Sequence, residues 1–275
     1  MRTIFVAVLL LGFIAAYAAP LTPEQERQAL IQHIQKRIPG ISTNDLALGT
    51  SAFERGVKVF SLNTANETNS ADILAIGKKQ WERPFRNGKT LATCFPNGGR
   101  RIAATYPQFD SKAKQVVTFE MALNRCLKLH GESEINAADI TIMGPLSAYA
   151  RSLSDDTKLH VRITSQAARD KYDAGRRLFH RRMGQQNYAC ASCHIQYAGG
   201  IYGSAPLSPV IGQATSWPQL RPGGEIRTLQ QQFQRCMERS GATPFPIGSE
   251  ELNNLEYYHA FLSTGLPLRT LGIRR

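Results

Sequence analysis

The stretch Asn187-Tyr-Ala-Cys190-Ala-Ser-Cys193-His194 decides the class of this chain. Two thiols three positions apart can bond both vinyl groups of one porphyrin, and the histidine that follows directly can then bind the iron. No βαβ pattern of a thioredoxin-like site surrounds the motif, and no further cysteines or histidines stand at zinc-ligand spacing. The sequence therefore predicts one covalently bound haem c, attached at Cys190 and Cys193 with His194 as an axial iron ligand.

The segments around two other cysteines resemble each other and indicate an internal repeat. The first segment reads Thr118-Phe-Glu-Met-Ala-Leu-Asn-Arg-Cys126, and the second reads Thr228-Leu-Gln-Gln-Gln-Phe-Gln-Arg-Cys236. Apolar residues four positions apart place one apolar face on a helix in each segment, and a glycine follows each as at a helix end. Two copies of one helical unit are therefore predicted.

The upstream and downstream parts of the chain fit the same repeat. Gly77-Lys-Lys-Gln-Trp, which begins a basic helix, leads to Cys94 as Gly175-Arg-Arg-Leu-Phe leads to Cys190. Residues 142–154 and 250–264 both show a helical pattern with tyrosines, and one short strand is indicated at 115–118. The irregular stretch 199–224, rich in glycine and proline, is predicted to be a loop wrapped around the cofactor.

The fold class that follows is mostly α, with two tandem cytochrome c-like domains of which the first lacks haem. Residues 19–165 are predicted to form the haem-less N-terminal domain, and residues 166–275 the haem-binding domain. The first domain has Cys94-Phe-Pro-Asn97-Gly98 where the second has the haem motif, so it lacks the second cysteine and the histidine.

The start of the chain predicts export. A positive Met1-Arg2-Thr3, an apolar run and an Ala-Tyr-Ala ending make residues 1–18 a secretory signal peptide, which predicts an exported protein. No second long apolar stretch follows, so no membrane span is predicted. The net charge of +12 favours acidic partners or anionic substrates, whereas no recognised motif supports nucleic-acid binding.

Five cysteines leave three outside the haem motif. In an oxidising compartment Cys94 and Cys126, which have no cofactor to bind, most simply form a disulfide that staples the empty unit. This pairing leaves Cys236 as the single free thiol.

The sixth ligand of the iron is open between three residues. Cys236, Met237 and His259 all follow the haem motif. The repeat favours Cys236, and a thiolate on iron lowers the haem potential and keeps the sulfur nucleophilic. The nearby Arg227, Arg235 and Arg239 then become candidates for holding an anionic substrate beside the sulfur.

Several of these residues together resemble a known family. The haem motif, the Arg235-Cys236 helix, the segment Leu255-Glu-Tyr-Tyr258 and the terminal Arg274-Arg275 look like SoxA, the c-type cytochrome subunit of the SoxAX complex in the thiosulfate-oxidising Sox system. The resemblance spans most of the chain and is to the single-haem members. It implies a periplasmic heterodimer with SoxX, a small cytochrome c.

The resemblance also implies an activity and a catalytic residue. The family acts as an L-cysteine S-thiosulfotransferase, which couples thiosulfate oxidatively to a cysteine of the carrier SoxYZ while two electrons leave through the haems. Cys236 falls on the family's axial cysteine, which is the catalytic centre and can carry a persulfide sulfur. Several members have a substrate-contacting arginine one turn earlier, and here the position is Gln232. Either another residue such as Arg235 or Arg239 supplies the charge, or this member binds thiosulfate more weakly.

Two other functions compete with this one. A plain periplasmic electron-carrier cytochrome would have Met237 or His259 on the iron. A tetrathionate-forming thiosulfate dehydrogenase would also use a cysteine-ligated haem, but it would need no protein acceptor.

Overall fold

The computed structural model describes residues 21–52, 64–203, 205–221 and 224–272, and the predicted signal peptide lies outside this part. The described chain is mostly helical, as predicted, and a continuous apolar core joins its two halves. The α-helices are α1 (Pro23–Arg37), α2 (Thr64–Glu82), α3 (Phe119–Leu129), α4 (Met143–Ser152), α5 (Gln166–His180), α6 (Leu229–Arg239) and α7 (Glu250–Leu262). Among these described helices, none has the length and apolar character that crossing a bilayer requires.

The described residues also form three short antiparallel hairpins, in addition to several short 3₁₀ and wider helical turns. The first and third hairpins stand directly ahead of α3 and α6, so they occupy equivalent places in the two halves. The strand predicted at 115–118 is confirmed as the second strand of the first hairpin. The pairs are β1 (Gln108–Asp110) with β2 (Gln115–Val117), β3 (Ile201–Tyr202) with β4 (Ala205–Pro206), and β5 (Gln219–Leu220) with β6 (Ile226–Arg227).

The helices α3 and α6 begin and end in the same way, which confirms the repeat. The hydroxyls of Thr118 and Thr228 accept hydrogen bonds from backbone amides three residues later, at 3.2 and 3.3 Å. Such side-chain caps satisfy amides that the first helical turn leaves unpaired. Gly131 and Gly241 follow the two helices, both at φ +72°, a left-handed conformation that glycine adopts without steric cost.

Each half also contains one close crossing of two helices, α2 with α4 and α5 with α7. Gly77 and Gly175 lie at these crossings, inside their helices rather than at the start as the sequence pattern indicated. A methyl group on Gly77 would come within 2.0 Å of the Pro145 carbonyl oxygen, and one on Gly175 would come equally close to that of Asn254. Only glycine therefore permits this helix contact.

A disulfide crosslinks the first half, as the sequence predicts. Cys94 and Cys126 form a disulfide that joins a short 3₁₀ turn (Leu91–Cys94) to α3, with 5.9 Å between the Cα atoms. Cys126 is buried, and Trp81 stacks on Phe95 next to the bridge.

The N-terminal helix α1 packs against the second half, although the predicted first domain (19–165) includes it. The Glu26 carboxylate accepts hydrogen bonds from the hydroxyls of Tyr172 and Tyr258, at 2.9 and 3.0 Å. At the other end of α1, the Arg37 side chain donates to the backbone oxygen of Ala198. The boundary predicted at 165 lies in the extended segment between α4 and α5 and stays a prediction.

A buried ionic cluster lies between the two halves. The Arg151 guanidinium contacts the Glu120 carboxylate at 3.1 Å and the Glu256 carboxylate at 3.8 Å, and Gln230 donates to Glu256. Burial and the charge of Glu120 raise the pKa of Glu256 to about 7. Burial would also raise the pKa of Glu120, but Arg151 and the Ser147 hydroxyl outweigh it and hold that pKa below its ordinary value.

Candidate functional site

The predicted haem-attachment residues lie in one short helical segment after α5. Cys190 begins this segment, and residues Ser192–Gln196 continue it as a wide turn that contains Cys193 and His194. Both cysteines are partly buried and neither forms a disulfide. Burial raises the pKa of the Cys190 thiol to about 12 and also raises that of Cys193. In both cases the nearby charge of Cys236 adds to the effect, so Cys236 lies within electrostatic range of the attachment motif.

The segment 199–224 contacts His194, in keeping with a loop around the cofactor. The Nδ1 atom of His194 lies 2.7 Å from the Ser208 backbone oxygen, and the side-chain amide of Gln213 lies 2.6 Å from the same atom. The Ser208 oxygen accepts from a protonated Nδ1, whereas the Gln213 nitrogen donates to an unprotonated one, so the two contacts do not fix the tautomer. Both contacts are made by Nδ1, and an outer hydrogen bond from that atom to a backbone carbonyl is typical of a histidine that binds a metal through Nε2. The donor set therefore fits an iron ligand.

Cys236 lies in the middle of α6 with Gln232 one turn before it. The Gln232 side-chain nitrogen lies 3.3 Å from the Cys236 sulfur and donates to it. Burial raises the pKa of Cys236, while the bond from Gln232 and the charges of Arg239, Arg227 and Arg221 act in the opposite direction. Burial has the larger effect, so the pKa of the free thiol is raised overall, and the hydrogen bond and the three arginine charges offset part of the cost of an anionic sulfur.

The arginines predicted near Cys236 divide into two kinds. Arg235 points to solvent and pairs with Glu238 at 3.5 Å, and it is not among the groups that act on the Cys236 thiol. The charges of Arg239 and Arg227 do lower the pKa of the Cys236 thiol. Arg221, which the sequence reasoning missed, belongs with them because the β5–β6 hairpin turns the chain back. The sequence signal was the Pro-Gly-Gly turn directly after Arg221.

The two rival axial ligands are packed into the core. Met237 is buried among apolar residues. His259 is 1% exposed, with its Nδ1 atom 2.9 Å from the Leu255 backbone oxygen of its own helix. Its ring lies against Phe179 and Phe233, at centroid distances of 5.1 and 4.7 Å. These positions favour Cys236 as the residue that faces the haem motif.

The fold and the site together define a class of protein. Two helical units of one plan, the second with a Cys-x-x-Cys-His motif and a correctly oriented histidine, are typical of a c-type cytochrome built from two cytochrome c-like units.

Comparison with known proteins identifies the family. A family model described as "SoxA/TsdA, cytochrome c domain" matches residues 76–159 and 174–268. The L-cysteine S-thiosulfotransferase subunit SoxA of Chlorobaculum tepidum is 36% identical over 96% of this chain and 95% of its own length. The subunit of that name in Allochromatium vinosum is 32% identical over 92% and 91%. The chain therefore belongs to the SoxA family of c-type cytochromes.

One solved structure resembles the fold. The crystal structure of SoxXA from P. pantotrophus aligns with a TM-score of 0.67, covering 74% of this chain and 79% of that one at 23% identity. This match supports the two-unit cytochrome fold.

Proposed function

We propose that this protein is a haem-dependent L-cysteine S-thiosulfotransferase, which couples thiosulfate to a cysteine of a carrier protein of the SoxYZ kind. The relatives that share about a third of its sequence over nearly its full length bear this name. The observation that supports the proposal best is the environment of Cys236, which accepts a hydrogen bond from Gln232 and lies within electrostatic range of the haem-attachment cysteines and of three arginines.

The residues that would hold the cofactor are Cys190 and Cys193, as covalent attachment points of one haem c, and His194 and Cys236, which would bind its iron. Their arrangement fits this role because Cys236 is near both attachment cysteines and the Nδ1 atom of His194 lies 2.7 Å from the Ser208 backbone oxygen. The bound haem would supply a one-electron acceptor beside the sulfur.

The coupling reaction makes one sulfur–sulfur bond. The outer sulfur of thiosulfate joins the carrier cysteine sulfur, the carrier thiol loses its proton, and two electrons would leave, one to the haem of this chain and one to the haem of the SoxX-type partner, so that a cysteine S-thiosulfonate forms. The dianionic substrate needs positive charge near Cys236, and Arg221, Arg227 and Arg239 supply it. Gln232 can donate a hydrogen bond to either the sulfur or a sulfonate oxygen.

We further propose a periplasmic location and a cytochrome partner for this protein. The predicted signal peptide at residues 1–18 and the Cys94–Cys126 disulfide support a periplasmic location. A small cytochrome c of the SoxX kind is the proposed heterodimer partner, in keeping with the SoxXA assembly of the structural relative.

The test is thiosulfate-dependent conjugation to the carrier cysteine, followed by mass spectrometry of the carrier. Cys236→Met should abolish conjugation while haem attachment at Cys190 and Cys193 persists. Met237→Leu is the matched control on the neighbouring residue and should keep full activity. Full activity of Cys236→Met would contradict the catalytic role.

The same assay without a carrier separates the second candidate, a tetrathionate-forming thiosulfate dehydrogenase, which the shared SoxA/TsdA family model favours. Tetrathionate formation by the wild-type protein at a rate comparable to conjugation would support that alternative.

A further inference from the structure

We propose that Arg227, acting through the side-chain amide of Gln232, is the positioning residue that holds an anionic sulfur ligand beside Cys236, and that Arg221 reinforces it. This inference rests on the proposed function for its substrate, thiosulfate, but its geometry stands independently. It assigns to Arg227 the compensation for the glutamine at position 232 that was expected from Arg235 or Arg239, while Arg239 adds to the same positive charge.

The side chains of Arg227, Gln232 and Cys236 form a hydrogen-bonded chain. The Arg227 guanidinium donates to the Gln232 side-chain oxygen at 3.1 Å, and the Gln232 nitrogen donates to the Cys236 sulfur at 3.3 Å. A guanidinium can only donate, so it fixes the amide with its oxygen towards Arg227 and its NH₂ group towards the sulfur. The arginine also polarises that NH₂ group, which makes it a stronger donor to an anion.

The β5–β6 hairpin gathers more charge at the same place. Arg227 is paired in register with Gln219, and Arg221 donates to the Gln219 side-chain oxygen at 3.0 Å. The charges that act on Arg221 are those of Arg227, Glu225, Arg239 and Cys236. Glu225 is mostly exposed and binds Arg227 at 2.8 Å. Three guanidiniums against one carboxylate leave a net positive charge beside the sulfur, as binding of a small dianion requires.

The first unit shows that the fold does not need this chain of hydrogen bonds. Position 232 of the second unit corresponds to Ala122 of the first, and position 227 corresponds to Val117. Both are buried apolar residues in the unit that has a disulfide in place of a haem motif. The same hairpin and helix therefore form without an arginine or an amide at these positions, so Arg227 and Gln232 serve the site rather than the architecture.

The experiment measures thiosulfate binding to the ferric haem-bound protein by calorimetry, with the carrier omitted. Arg227→Gln should weaken binding about tenfold, the usual effect of one charge-assisted hydrogen bond. Arg235→Gln removes the same charge from the exposed side of α6 and should change binding less than about twofold, as for an exposed charge. Adding Gln232→Arg to Arg227→Gln returns a guanidinium to the sulfur and should restore most of the affinity, a rescue that a purely structural role would not give.

Conjugation kinetics separate this inference from the proposed function. Arg227→Gln should raise KM for thiosulfate with little change in kcat. Unchanged binding in Arg227→Gln, an equal loss in Arg235→Gln, or no rescue by Gln232→Arg would overturn the inference even if the wild type conjugates thiosulfate. Absence of conjugation by the wild type would overturn the proposed function, while the binding differences would still support the role of Arg227.

Discussion

Removal of the Cys94–Cys126 disulfide should destabilise the first unit by an amount that follows from the structure. The two cysteines are 32 positions apart, and closing a loop of that length in the unfolded chain corresponds to about 3.7 kcal/mol at 25 °C. Cys126 is 2% exposed, so replacing it with alanine leaves a small cavity that costs about 1 kcal/mol more. The variant Cys94→Ala/Cys126→Ala should therefore lose about 4 to 5 kcal/mol of unfolding free energy.

Urea unfolding of the haem-bound protein measures this loss. Circular dichroism reports the helices, and fluorescence of Trp81, which stacks on Phe95 beside the bridge, reports the first unit. The single variant Cys126→Ala breaks the same bridge and should lose nearly as much as the double variant. A loss below about 1 kcal/mol would refute the reasoning, because it would mean that the bridge does not restrict the unfolded chain.

Two further predictions concern the packing of the helices and the cluster between the units. Gly175→Ala places a methyl group 2.0 Å from the Asn254 carbonyl oxygen and should lower the free energy of unfolding in urea by about 3 kcal/mol. Gly77→Ala should have a similar cost. A loss below about 1 kcal/mol for both variants would contradict the close crossing of the helices. Because burial and Glu120 raise the pKa of Glu256 to about 7, the folded protein binds this proton more tightly than the unfolded chain does, and stability should fall as pH rises from about 5 to 8. Glu256→Gln cannot ionise at this position. It should be about 2 kcal/mol more stable than the wild type at pH 8 and nearly equal to it at pH 5, as thermal unfolding at both pH values would show. An equal difference in stability at pH 5 and pH 8 would contradict the raised pKa of Glu256.

The features that the sequence predicts well are local. A few neighbouring residues suffice to predict the haem motif, the threonine caps of α3 and α6 and the glycines that follow these helices. Each of these features depends on short-range hydrogen bonds and backbone conformation. The disulfide was predictable because the repeat aligns Cys126 with Cys236 and so places it where a cofactor has been lost.

The features that the sequence does not reveal depend on contacts between distant segments. Glu120, Arg151 and Glu256 come from α3, α4 and α7, and nothing in their local patterns indicates that they meet. The packing of α1 on the second unit likewise depends on two buried tyrosines more than 140 positions away from Glu26.

The sequence also predicts only some of the arginines that lie near Cys236. Spacing along α6 favoured Arg235 and Arg239, because helical periodicity is the only geometry that a sequence displays. Arg239 does act on Cys236, but Arg235 pairs with Glu238 at the surface, and the β5–β6 hairpin brings Arg221 and Arg227 to the site as well. The turn residues after Arg221 signalled a hairpin but not the partner it would meet.

Low-temperature electron paramagnetic resonance of the ferric protein tests the central claim most directly, namely that Cys236 lies on the haem iron opposite His194. The account predicts a low-spin signal of histidine–thiolate ligation, which changes in Cys236→Met and is unaltered in Met237→Leu. A histidine–methionine signal in the wild type, lost on Met237→Leu, would contradict it and identify the protein as an ordinary electron carrier.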